Sequence, residues 1–350
     1  MQSALNLLFG LLSRFPSPLI PTVSDNSRLS PHPLICQAAT SWCLATVLMT
    51  TSLAGCTTPV KNGFDLEGAP IPPHDIRSGG PPRDGIPAID HPRFIEADGA
   101  DFLDDEDRVL GISRSGIVKA YPINILNWHE IVNDKFGAEP VAVTYCPLTG
   151  SGIAYLARLN GKTIHLGTSG LLYNSNLVMY DRSTESLWSQ LMNLALNGAH
   201  KGARLVTLPM TTTTWADWRA RHPDTRVLST ATGYRRNYGR NPYGGYGNSP
   251  RIYFPLTHRD HRYPPKALTV GVLLNGQAKA YPFTELAKTT GDVHDRVGGW
   301  DITVRFDPHH HTATVYGPDE TEIPSVTAYW FGWAAFHPDT QIFRAGRGHP

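Results

Sequence analysis

The chain has 350 residues, 41% hydrophobic and 17% charged, and its 31 basic and 30 acidic side chains leave a formal charge of +1. That balance argues against the concentrated positive field of a nucleic-acid binder, and the length allows one large domain or two small ones. The 32 Gly and 29 Pro suit short strands and turns better than long helices.

Residues 1–55 read as a lipoprotein signal peptide. The stretch 42–55 is uncharged and mostly apolar, shorter than the roughly 20 residues that a membrane span needs but suited to a signal-peptide core. It closes on Leu53-Ala54-Gly55-Cys56, which resembles a lipoprotein signal-peptidase site. Cleavage there makes Cys56 an acylated first residue, and each buried methylene of the acyl chains supplies about 0.8 kcal/mol. No Lys or Arg lies between Arg28 and Lys61, and the residues before this core are unlike a signal peptide, which points to a start codon further in. Thr57 follows Cys56, with no Asp to suggest inner-membrane retention. The expectation is an outer-membrane lipoprotein facing the periplasm, with the membrane as partner through Cys56 and no nucleic acid. With Cys36 and Cys43 removed and Cys56 acylated, Cys146 is the one thiol left, in a compartment that favours disulfides. Residues 56–92, dense in Pro and Gly, read as the lipid anchor and a semi-rigid tether.

A single domain is expected over 93–345, and it matches itself. VLGISRSGIVKAYP at 109–122 aligns with TVGVLLNGQAKAYP at 269–282, both Gly and the KAYP tetrapeptide holding one offset of 160. Each copy predicts strand, Gly turn, strand, a short helix after the Pro, and a further strand at 141–145 or 301–306. A second pair, WADWRARHPDT from Trp215 and WFGWAAFHPDT from Trp330, predicts a helical turn with both Trp on one face, ended by Pro. Two halves follow, 95–230 and 255–345, joined by a linker at 231–254. Half one carries about 45 residues that half two lacks, including 167–203. The expected fold is α+β: a strand-rich domain of two pseudo-repeated halves with short helices.

Features in both halves read as scaffold, and features in one half as functional. His222 and His337 close equivalent helices, where imidazole meets the last carbonyls. Cys146 and His129 occur in one half only, aligned with Phe306 and with Thr289 or Thr290. Cys146 ends the apolar strand VAVTY and opens the turn CPLTGSG, a place where a reactive side chain is commonly presented. Thiolate beside imidazole binds copper or zinc, giving a metal set of Cys146, His129 and His337. The same pair suits a Cys-dependent enzyme, with Cys146 as nucleophile, His129 as base and Asn133, Asn174 or Asp181 orienting the ring. A buried, inert Cys near a core His is the structural alternative.

Two further segments offer a ligand site. Asn174, Asn176, Asp181, Arg182 and Gln190 crowd a short aromatic hairpin and would line a pocket. In 234–246, Arg235 and Tyr238 belong to an interleaved Arg/Tyr run that clamps an anion or stacks on a sugar. An ordered linker is the plainer reading of that run; the functional one makes the chain an envelope binding or assembly module. His309, His310 and His311 cannot all face one ion along a strand, so surface binding is expected there. The acidic run 101–107 lacks EF-hand spacing, and no P-loop, GxGxxG, GxSxG or HExxH is present.

VTYCPLTGSG, SGLLYNSNLVMYDRSTESLWSQ and the two WxxWxxxHPDT runs resemble the bacterial domain-of-unknown-function family 3179, over Pro87 to Arg344. The resemblance implies export or lipidation and no particular activity. The family pattern resembles YCPLC, with a second Cys where this chain has Thr149. That departure argues against dithiol–disulfide exchange by Cys146 alone and would leave metal ligation to His129 or another His.

Overall fold

The computed structural model describes residues 59–346, so Cys36, Cys43 and Cys56, and with them the signal-peptide and lipidation expectations, lie outside the described residues. Among the described residues no helix is long and apolar enough to cross a membrane.

Five sheets of three to five strands take a five-bladed β-propeller arrangement. Blade 1 is built on the hairpin Arg108–Arg114/Ile117–Pro122, with Thr211–Thr214 on one edge and Arg226–Leu228, then Phe94–Glu96, on the other. Blade 2 holds Ile131–Phe136, Glu139–Cys146, Ser151–Leu156 and Val206–Leu208. Blade 3 centres on Leu166–Tyr173 and Asn176–Asp181, flanked by Leu187–Ser189, Leu194–Ala195 and Arg77–Ser78. Blade 4 repeats the first four strands of blade 1 as Val326–Tyr329, Leu268–Leu274, Gln277–Pro282 and Gln341–Ile342. Blade 5 has Val293–Val297, Trp300–Asp307 and Thr312–Tyr316. The hairpins in blades 1, 3 and 4 turn through Ser115-Gly116, Asn174-Ser175 and Asn275-Gly276, each pair with both φ positive. Two-residue loops need that conformation to match the strand twist, and Gly and Asn reach it at least cost.

This corrects the expected two-halved α+β domain. The helices α1 (Ile123–His129), α2 (Trp215–Arg221), α3 (Phe283–Leu286) and α4 (Trp330–Phe336) are short caps on strands and form no layer. Neither half is one lobe, because the hairpins of half one lie in three sheets and those of half two in two. The extra residues of half one are blade 3. The tether is corrected too: from Pro59 onward it belongs to the folded domain. Phe64, Leu66, Ile71 and Ile76 are buried against Tyr180 and Leu187, and Arg77–Ser78 adds an edge strand to blade 3.

Local equivalences explain the shared motifs. A Cβ on Gly111 would sit 2.3 Å from the Trp218 ring, and one on Gly271 2.3 Å from Trp333, so each Trp lies flat on a strand that tolerates only Gly. Each indole donates to a Thr hydroxyl at 2.9 Å, Thr225 or Thr340. The KAYP lysines form buried ion pairs, Lys119 with Asp134 at 2.7 Å and Lys279 with Asp295 at 2.6 Å. Tyr121 and Tyr281 donate to the same carboxylates.

Candidate functional site

Blades 2 and 5 end in the same kind of tip. Cys146 pairs with Ser151 across Pro147-Leu148-Thr149-Gly150, and Asp307 pairs with Thr312 across Pro308-His309-His310-His311. Val132 lies opposite Val143 as Val293 lies opposite Val304. Cys146 is therefore equivalent to Asp307, one residue on from the expected Phe306, and Thr149 is equivalent to His310. Each tip rests on the strand end before a Trp helix. Tyr329 N donates to Thr149 O at 2.8 Å, while Thr214 Oγ1 lies 2.8 Å from His310 Nδ1.

The blade 2 tip is covered. Cys146 is 1% exposed, with Sγ 3.8 Å from Ser175 O. Burial pushes its thiol up, the Glu130 charge pushes it further, and bonds from Thr149 and the Leu177 backbone only partly oppose them. The sulfur keeps its proton at neutral pH. Beneath it runs a satisfied polar network: Asn176 Nδ2 donates to Thr149, Ser151 and Gln190, and Gln190 Nε2 donates to Thr144. This network holds the turn in place.

Glu130 is the residue that sequence reasoning missed. It ends α1 with φ 59°, left-handed for a non-Gly residue. Its N–H donates to Leu126 O and its carbonyl accepts from Tyr145 N, both at 2.7 Å. This bend carries the side chain into a pocket of about 330 Å³ lined by Leu148, Leu172, Leu177, Tyr243, Tyr253 and Phe254. Burial pushes the carboxyl up to about 7, against one hydrogen bond from Tyr243, whose hydroxyl donates at 3.0 Å. Among the described residues Glu130 has no ion pair. Tyr246, which touches Tyr253 ring to ring at 4.4 Å, has a buried hydroxyl with no partner. The one signal in the sequence was a lone carboxylate between two apolar runs.

His129 does not serve Cys146. Its Nδ1 lies 2.7 Å from Pro87 O and its Nε2 2.7 Å from Tyr238 Oη. A carbonyl only accepts, so Nδ1 carries the proton and Nε2 accepts from the tyrosine. Burial lowers its pKa, the Pro87 carbonyl opposes this, and Arg236 adds to it. Tyr238 also lies 2.6 Å from Thr232 Oγ1, which makes the pair a rivet between α1 and the linker. His337 packs at a tilt against Trp333 at 4.1 Å, as His222 does against Trp218 at 4.2 Å, and burial lowers His337 to about 4. Cys146, His129 and His337 do not converge on a point; among the described residues the three-ligand group that does is Asp217, Asp307 and His310.

The other sequence candidates are internally satisfied. Asn133 bonds Asp90 and both polar backbone atoms of Leu166. Asn174 Oδ1 accepts from Thr257 N and Oγ1, tying blade 3 to the chain entering half two. Asp181 accepts from the backbone and hydroxyls of Ser183 and Thr184, a loop-tip role. Arg182 pairs with Asp84 at 3.1 Å and Asp90 at 3.6 Å. Arg235 is exposed on the linker. From half two, Lys266 reaches over the ring of the linker's Tyr246 and donates to its carbonyl at 3.1 Å.

A family described as "Protein of unknown function (DUF3179)" matches residues 83–320. No curated protein and no solved structure matches the chain.

Proposed function

This chain belongs to the DUF3179 family, whose description carries no activity, and from its site we propose a binding protein for a small, largely apolar amine. The observation that carries the reading is Glu130, a carboxyl turned into an apolar pocket with one hydrogen bond and no cation. An isolated buried carboxylate is costly, and a ligand ammonium would supply the missing partner. Tyr243, Tyr253 and Phe254 offer ring faces to the same cation, and the leucines suit a hydrocarbon body. The lipobox reading of Cys56 adds the setting, a binding domain held at the outer membrane and facing the periplasm. Two rival readings lose their chemistry. Neither has the imidazole it needs, because His129 is engaged with Pro87 and Tyr238, away from a thiol that burial and Glu130 push toward its neutral form.

Calorimetric titration with benzylamine, benzyl alcohol and benzoate tests this. Benzylamine should bind best, its affinity rising about tenfold per pH unit below about pH 7 and levelling off above, as Glu130 ionises. Glu130→Gln should remove both the preference and the pH dependence. Equal binding of amine and alcohol, or an unaffected variant, would sink the reading.

A further inference from the structure

We propose that Asp217, Asp307 and His310 form a binding site for a divalent transition metal of the zinc class, where the blade 5 tip meets α2 of blade 1. One ligand atom from each lies within 4.8 Å of the others, and neither carboxylate forms an ion pair with His310 among the described residues. Asp217 accepts from Arg221 and, at 2.6 Å, from Thr213 Oγ1, and among the described residues the three groups form no side-chain to side-chain hydrogen bond with one another. Two of them are held in place. Asp307 Oδ1 accepts from the His309 and His310 backbone N–H groups at 2.8 and 3.3 Å, which leaves Oδ2 without a protein partner among the described residues. Thr214 Oγ1 accepts from Asp217 N as the cap of α2 and lies 2.8 Å from His310 Nδ1. With Nδ1 donating to Thr214, Nε2 is left unprotonated as the ligand atom, the tautomer that a neighbouring acceptor gives to metal-binding imidazoles. Arg108 clamps the turn, donating to the carbonyls of His310 and His311 at 2.5 and 3.0 Å.

The same corner is built twice, and the comparison shows what has been added. In the other copy the equivalent residues are Cys146, Thr149 and Gly332, and a Cβ on Gly332 would meet Thr149 at 2.9 Å. There the corner is filled by packing; here three ligating groups replace it. Two carboxylate oxygens and one imidazole nitrogen suit zinc and leave a coordination position open. Arg221 holds Asp217 at present, an i,i+4 pair whose Arg side chain is 38% exposed, and such pairs are weak enough for a metal to displace. His309 and His311 are exposed and stand outside the group of three, so consecutive histidines do not have to share an ion.

The test is zinc titration of the full chain made without an affinity tag, followed by calorimetry, with circular dichroism confirming that each variant is folded. His310→Gln and Asp307→Asn should each weaken a one-per-chain site by about tenfold or more. Arg221→Gln should strengthen it severalfold by freeing Asp217. His309→Ala with His311→Ala should leave it unchanged. Loss of zinc in that double variant while His310→Gln still binds would mean adventitious surface histidines. Zinc held equally by every variant, or none held by the parent, would overturn the site.

Discussion

The tips of blades 2 and 5 share a register, a four-residue turn and a docking partner, yet their chemistry runs in opposite directions. At blade 2, Cys146, Leu148, Thr149 and Ser151 are all buried; at blade 5, His309 and His311 are exposed and Asp307 and His310 are half-buried. The difference follows from blade 3, which half two lacks. Its strand Leu166–Tyr173 and the linker lie over the first tip and take it out of water, so ionisable groups there are pushed toward their neutral forms. The second tip stays wet, and a cation can reach its carboxylates. One backbone device thus yields an apolar, proton-bearing site in one copy and a hydrated, anionic one in the other.

The comparison can be broken most sharply by exchanging its third position. Gly332→Asp, which copies Asp217 into the dry corner, should cost about 3–5 kcal/mol in denaturant unfolding, because it buries an unpaired charge against Thr149. An unchanged midpoint would mean that the two corners are not equivalent in packing. Next in size is Glu130→Gln. The folded carboxyl sits near 7 against an ordinary 4.5, so its contribution to stability is full below pH 4.5, falls as pH rises through 7, and is flat above. The variant should be about 3 kcal/mol more stable than the parent at pH 8 and should lose the slope between those values. A parent whose stability is flat over that range would remove the dry site's central feature. A smaller effect concerns reactivity. Peptide-resolved alkylation of the native chain should label Cys146 at least about a hundredfold more slowly than after unfolding, and fast labelling would show the thiol to be exposed. The smallest concerns the wet tip, where His309→Ala with His311→Ala should shift stability by less than about 0.5 kcal/mol.

What could be read from the sequence is what repeats locally. KAYP, the Gly turns and the Trp helices mark the strands of blades 1 and 4, because a strand pair and its turn are encoded by neighbours. The turn after Cys146 was also visible as Pro and Gly. The five blades were not, since a period of two identifies a strand without saying which sheet it joins. His129 was misjudged because its partners, Pro87 and Tyr238, lie far along the chain on either side. Glu130 went unnoticed for a related reason: one left-handed residue aims it, and only packing from the linker makes its environment apolar. Cys146 stands against Asp307 and not Phe306 because one extra residue before Val293 moves the offset from the 160 of KAYP to 161.

Blade 1 has a consequence for the order in which the molecule can be made. Its central hairpin, Arg108–Pro122, is synthesised well before the strands that cover its edges, Thr211–Thr214 and Arg226–Leu228. Between them the ribosome must deliver all of blade 2 and all of blade 3 but its edge strand Arg77–Ser78. Through that interval a growing chain carries two uncovered strand edges, and pairing with a second chain is the hazard that such edges present. A chaperone that holds the nascent chain over that interval would shield both edges until their partners arrive.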